Sequence, residues 1–223
     1  AAQGTNPSCD VTMSGAASVG ASFLGPHILT VNVTSIENGL GTVSGSTSGG
    51  ASLQCDAVPG AVATCTMLVR EGDTVLVGAI PGALSVLSGV AGCTADPLDP
   101  NGAACSPLVM TGPQAITATF RGPQTLGVTF GGDGSGEVNL ASIGVCVSGP
   151  SACAYPLRLG TVQELTANPA ADSLLQSWTG ACAGQGPICS IVISGNAVTQ
   201  AVFALRNHPP TAAAGGPYAG VRN

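Results

Sequence analysis

The chain contains no lysine: its five basic residues are Arg70, Arg121, Arg158, Arg206 and Arg222. That absence removes a P-loop phosphate clamp, a Schiff-base lysine and a Ser-Lys dyad from consideration. Five scattered arginines against eleven acidic residues give a net charge of −6. Nucleic acid demands a clustered basic face, so it is excluded as a partner. Aromatic residues make up only 3% of the chain, which leaves the core to Ala, Val, Leu and Ile. No apolar run approaches the roughly 20 residues that a membrane-spanning helix needs. There is also no C-x-x-C pair and no G-x-S-x-G elbow, so neither a compact zinc knuckle nor a hydrolase nucleophile turn is written here.

What the chain does have is 33 Gly, 16 Pro and abundant Ser and Thr. Gly and Pro are costly inside helices, and β-branched residues favour strands, so the expectation is an all-β chain rich in turns. A pattern read back from a phenylalanine occurs three times. Its copies run from Cys9 to Phe23, from Cys105 to Phe120 and from Cys189 to Phe203. Each places Ser/Thr-Gly at a fixed distance before Phe and Ala two residues before it, as in Ala118-Thr119-Phe120 and Ala201-Val202-Phe203. An internal repeat sets the architecture before any motif is weighed. It divides the chain into residues 1–25, the closing hairpin of an incomplete repeat; a module at 26–121; a second at 122–205; and a tail at 206–223. On the apolar face of the 1–25 hairpin stand Val11, Met13, Val19, Ala21 and Phe23, a candidate assembly surface.

The repeat also sorts the nine cysteines. Cys55 with Cys65 and Cys93 with Cys105 fall in the first module; Cys146 with Cys153 and Cys182 with Cys189 occupy matching places in the second. Local pairing is the simplest framework, and each closed loop would contribute roughly 2–3 kcal/mol in the chain-entropy account. For a small, thin-cored module that is a large share of its stability. Cys9 is left unpaired, or paired outside the chain. Metal ligation is the rival, but the spacings are wide, and His27 and His208 lie far in sequence from any cysteine pair. Disulfides imply an oxidising compartment, the periplasm, the cell surface or the medium, and a secreted or cell-surface location is the expectation.

Along the first module, Leu29-Thr30-Val31-Asn32-Val33-Thr34 alternates like a half-buried strand. Asn38-Gly39-Leu40-Gly41 turns it into Thr42-Val43-Ser44-Gly45, which reads as a hairpin. Met67–Val69 and Asp73–Val77 are further strands, and the repeated segment ending at Phe120 reads as a closing hairpin. Residues 122–205 replay this order, with Leu126–Phe130, a turn over 131–136, Glu137-Val138, strand candidates between Leu157 and Leu165, and Ser177-Trp178-Thr179-Gly180-Ala181-Cys182. This order of L-x-V-x-V, G-x-G-x-V, Cys loop, W-[ST]-G-x-C and C-x-V-x-M ending in A-x-F resembles the divergent internalin-type B-repeat of bacterial surface proteins. The second module matches better; the first has Leu87-Ser88-Gly89 where Trp-Ser-Gly is expected. The resemblance implies compact β-grasp-like modules in tandem on a secreted or surface-attached bacterial protein; with the cysteine pairs, the expected fold is all-β, tandem small disulfide-stapled modules that are β-grasp-like or small β-sandwiches. The tail, Asn207-His208-Pro209-Pro210 through Tyr218, resembles the opening strand of a PKD-type domain.

Candidate chemistry is sparse. His27 and His208 adjoin prolines in expected linkers, without the carboxylate and nucleophile a catalytic histidine needs. Asp96, Asp99 and Asn101, or Asp133 with Glu137, are acidic turns, yet calcium wants six to eight oxygens and such residues are ordinary turn formers. Trp178 reads as the large core residue beside its disulfide rather than a sugar platform. The sequence therefore points to a non-enzymatic structural segment of a stalk, adhesin or filament. No catalytic, cofactor or metal residue is expected, and the partners are other modules of the same protein or identical subunits. A second reading is an accessory module of a secreted hydrolase that binds a polysaccharide or host-surface ligand through Trp178.

Overall fold

A computed structural model of the protein describes residues 12–16, 18, 20, 24–97, 99, 103–149 and 152–207. Among these the regular structure is all strand. The first eight are β1 (His27–Ile36), β2 (Gly41–Thr47), β3 (Ser52–Asp56), β4 (Val62–Val69), β5 (Thr74–Pro81), β6 (Val86–Ala91), β7 (Leu108–Val109) and β8 (Gln114–Arg121). They form two four-stranded sheets, ordered β4-β1-β8-β6 and β3-β2-β5-β7. The next eight are β9 (Gln124–Gly131), β10 (Gly136–Leu140), β11 (Gly144–Val147), β12 (Cys153–Leu157), β13 (Val162–Pro169), β14 (Ser173–Gly180), β15 (Ile188–Val192) and β16 (Ala197–Leu205). Their sheets run β12-β9-β16-β14 and β11-β10-β13-β15, the same order shifted by eight strands.

The alternation seen in the sequence decides which face of each strand is buried. Leu29, Val31 and Val33 of β1 point inward with Ile116, Ala118 and Phe120 of β8. They meet Val43, Val75, Val77 and Ala79 of the opposite sheet in one core. The second core joins Leu126 and Val128 to Val138, Leu140 and Leu165 in the same manner. Each half is thus a small β-sandwich, with two sheets covering one apolar layer. Between a β-grasp-like fold and a sandwich, the two-sheet layering selects the sandwich.

The hairpins expected within 26–121 and 122–205 are not hairpins. β1 pairs with β4 and β8, whereas β2 pairs with β3 and β5 in the other sheet. The segment ending at Phe120 likewise divides between β7 in one sheet and β8 in the other. In the second half, β9 and β10, and then β15 and β16, separate in the same way. A period of two specifies which side of a strand is apolar but not whether the next strand lies beside it or across the core. Here both apolar sides face one another, so each turn is a corner between layers.

Two glycines belong to that corner packing. A Cβ on Gly41 would overlap the Phe120 ring, and one on Gly136 would overlap the Phe203 ring. The same phenylalanine therefore rests on the same glycine in both sandwiches, which accounts for the recurrence of G-x-V and A-x-F. The register also corrects one sequence alignment. β6 bulges between Leu87 and Gly89, and β14 bulges between Leu175 and Ser177. Beyond the bulge Val90 pairs with Ala118 as Trp178 pairs with Ala201. The first-module counterpart of Trp178 is Val90, not Leu87.

Candidate functional site

The cysteines bridge as Cys55–Cys65, Cys93–Cys105, Cys146–Cys153 and Cys182–Cys189, with Cα–Cα distances of 5.8, 5.8, 6.0 and 5.7 Å. Their placement in the sandwich is specific. Cys55 lies on β3 and Cys65 on β4, the edge strands at one side of the two sheets. Cys93 follows β6 and Cys105 precedes β7, the edge strands at the other side. Cys146 on β11 and Cys153 on β12, then Cys182 after β14 and Cys189 on β15, repeat the arrangement. Each sandwich is thus clipped sheet to sheet along both open sides, where unpaired strand edges would otherwise peel or recruit another chain. Cys9, Val11, Val19, Ala21 and Phe23 lie outside the described residues. Met13 is exposed, at 66%.

The remaining candidates take structural places. Trp178 is 3% exposed, and its indole N–H donates to the Gly186 carbonyl at 2.8 Å. A buried ring of this kind offers no stacking face to a sugar. His27 is not a free linker residue, as the sequence suggested, but the first residue of β1, with its Nε2 paired to the Glu71 carboxylate. No hydroxyl joins that pair among the described residues, so it lacks the nucleophile of a triad. His208 lies outside the described residues. In the acidic turns, Asp99 Oδ2 accepts from the Ala103 and Ala104 amides, each at 2.8 Å. Asp133 Oδ1 accepts from the Leu205 amide at 3.2 Å. These carboxylates cap backbone, and among the described residues no cluster of three metal-type ligands forms. A furrow of about 650 Å³ runs over the outer face of β2 and β5 past Ser44, Ser46, Gln54 and Gly78. It contains hydroxyls, an amide and the Asp96 carboxylate, and no histidine lines it.

A dense polar constellation lies where the two sandwiches join, where the sequence marked only the boundary between modules 26–121 and 122–205. At the corner after β1, Gly39 N–H donates to the Ile36 carbonyl at 2.9 Å, and the Ser35 hydroxyl donates to the Gly39 carbonyl at 2.8 Å. Glu37 and Asn38 form the tip of this turn with φ of 51° and 59°. Arg121, the last residue of β8, grips Glu37 with two hydrogen bonds, Nε to Oε2 at 2.6 Å and Nη2 to Oε1 at 2.8 Å. The Gln124 side-chain amide, at the start of β9, donates to the same carboxylate and to the Gly122 carbonyl. These donors, Arg121 first and Gln124 next, hold the Glu37 carboxyl down at about 2 from an ordinary 4.5, against a smaller opposing effect of desolvation. The sequence signal was faint: one of only five arginines, set beside Gly-Pro.

Among the described residues no helix is long and apolar enough to cross a membrane. No protein-family model matches the chain, and no curated protein sequence does. Among solved structures, one similar chain is an adhesin from Mobiluncus mulieris containing disulfide, isopeptide and ester cross-links. It is 9% identical, covers 82% of this chain and 100% of its own, and has a TM-score of 0.32. The major pilin T-13 of Streptococcus pyogenes is 9% identical over 83% of this chain and 98% of its own, with a TM-score of 0.36. The shaft pilin SpaA of Lactobacillus rhamnosus GG is 7% identical over 83% and 100%, with a TM-score of 0.32. At such scores these likenesses assign neither a site nor an activity to this chain.

Proposed function

We propose that this chain is a non-enzymatic, tension-carrying segment of a secreted or cell-surface bacterial protein, made of two stapled modules at 26–121 and 122–205. One observation carries the reading. In each sandwich the first and last strands are parallel neighbours: β1 with β8 from Leu29↔Gln114 to Ile36↔Arg121, and β9 with β16 from Leu126↔Ala197 to Gly131↔Val202. A pull on the two ends of a sandwich therefore drags these strands past one another along their length. All the bonds of a parallel ladder share that load, whereas an antiparallel edge pulled from one end opens bond by bond.

The disulfides support the compartment, because such bonds persist where the surroundings are oxidising. They also leave the load path alone, since none of them joins β1 to β8 or β9 to β16. The internalin-type resemblance belongs to the same reading. The rival role as a carbohydrate-binding accessory loses its contact residue with Trp178 buried. Association through residues 1–25 rests on the sequence repeat alone; sedimentation of a chain lacking residues 1–24 tests it, and unchanged assembly would refute it.

Single-molecule pulling tests the function. Held at its two ends, the chain should yield at a several-fold higher force than when held at His27 and Val69, which face each other across the antiparallel β1–β4 pair. Equal forces in the two geometries would remove the mechanical reading.

A further inference from the structure

The geometry points to a fixed joint: Glu37, Arg121, Gly122 and Gln124 lock the two sandwiches into one stiff rod, and among the described residues this clasp forms at this joint alone. The inference deepens the structural reading above and rests on it for its purpose, though not for its geometry.

The linker is minimal. β8 ends at Arg121 and β9 begins at Gln124, so only Gly122 and Pro123 lie between two sheets. Pro123 has φ fixed by its ring. Gly122 is buried and tied: its N–H donates to the Ile36 carbonyl at 3.0 Å. A Cβ on Gly122 would run into the Glu37 carbonyl oxygen, so no other residue allows so close an approach. Few soft dihedrals remain through which one sandwich can swing against the other.

Side chains then span the joint. The Glu37 carboxylate takes Arg121 from its own sandwich and Gln124 from the next. Gln124 is 1% exposed, and a buried amide that lost its acceptors would carry the cost of desolvation without recompense. Glu37 sits in the left-handed region, where glutamate is uncommon and glycine or asparagine is usual. An unfavoured residue at the tip of a turn is explained when its side chain has a task that the turn itself does not require.

The repeat shows why the clasp is single. Val31 pairs with Cys65 and Ile116 as Val128 pairs with Cys153 and Thr199, which aligns the two sandwiches residue by residue. The turn before β10 is two residues shorter, so the place of Glu37 falls to Gly134 by the β9 register and to Gly132 by the β10 register, a glycine either way, and Ala204 stands in the place of Arg121. At the front of the first sandwich, Gly25-Pro26-His27 repeats Gly122-Pro123-Gln124, but Leu24 replaces the arginine and His27 turns to Glu71 of its own sandwich. The backbone recipe for a tight joint is repeated, and the side-chain lock is not.

Backbone ¹⁵N relaxation on the whole chain tests this. Amides of both sandwiches should report a single common tumbling of an elongated body. Glu37→Gly keeps the turn geometry and removes the shared acceptor, so the two halves should lose their common tumbling and each should approach the correlation time of one sandwich. Arg121→Ala should give a smaller loss, because the Gln124 bond remains, and Glu71→Gln should give none. Retention of the four disulfides and of the core chemical shifts shows that a variant is folded. Independent tumbling in the unmodified chain, or common tumbling that survives Glu37→Gly, overturns the clasp. Either result would leave the pulling geometry of each sandwich untouched, so the two proposals fail separately.

Discussion

Phe120 and Phe203 are the largest fully buried side chains of their sandwiches, each seated on a glycine where a corner joins the layers. Met67 and Met110 share the first core and Trp178 the second; the rest is Val, Leu, Ile, Ala and half-cystine, so each phenylalanine ring supplies a large part of the buried apolar surface. Truncating Phe203 to Ala should cost about 3–5 kcal/mol, read from the denaturant midpoint, with the second sandwich affected and the first not. Gly41→Ala should destabilise the first sandwich because its methyl group meets the Phe120 ring; an unchanged midpoint would show that the ring can move aside. Glu37 makes a prediction of a different kind. Its carboxyl is held at about 2 rather than 4.5, so its contribution is fully present above pH 4.5 and is lost as the pH falls through about 2. The joint should therefore keep its geometry through mildly acidic conditions. The carboxyl carbon of Glu37 should titrate near 2 by NMR and move upward in Arg121→Ala, whereas an ordinary midpoint would mean that the grip is absent in solution.

Among the strands, edges and middles have different tasks. The central pairs, β1 with β8 and β9 with β16, carry the proposed load, while β3, β4, β6 and β7 and their counterparts close the sides. Each disulfide ties an edge of one sheet to the facing edge of the other. Replacing Cys55 and Cys65 together by Ala should lower the stability of the first sandwich by roughly 2–3 kcal/mol on the chain-entropy estimate. The effect on force in end-to-end pulling should be much smaller, since that bridge lies off the load path. Should force and stability fall in proportion, the separation between load path and edge staples is wrong. Non-reducing peptide maps should contain no bridge between the two halves.

At the scale of the whole molecule, the described strands are one sandwich design used twice, joined through two residues and a carboxylate. Much of the design is legible in the sequence. Alternation in Leu29–Thr34 and Leu126–Phe130 identifies strands and their buried sides, because the side-chain period of a strand is two. Matched cysteine spacings pick out local pairs, and the absence of lysine closes several chemistries outright. Three things were decided only by tertiary structure. Whether the turn at 37–40 makes a hairpin or a corner depends on which strand supplies the hydrogen bonds, and both choices bury the same residues. The match of Val90 to Trp178 depends on a bulge, which shifts the register without leaving a fixed sequence mark. The clasp joins Glu37 to residues 84 and 87 positions away. No local pattern encodes such contacts: the Arg121 grip exists once the first sandwich has brought β8 beside the turn after β1, and the Gln124 bond once the first strand of the second sandwich lies against that turn.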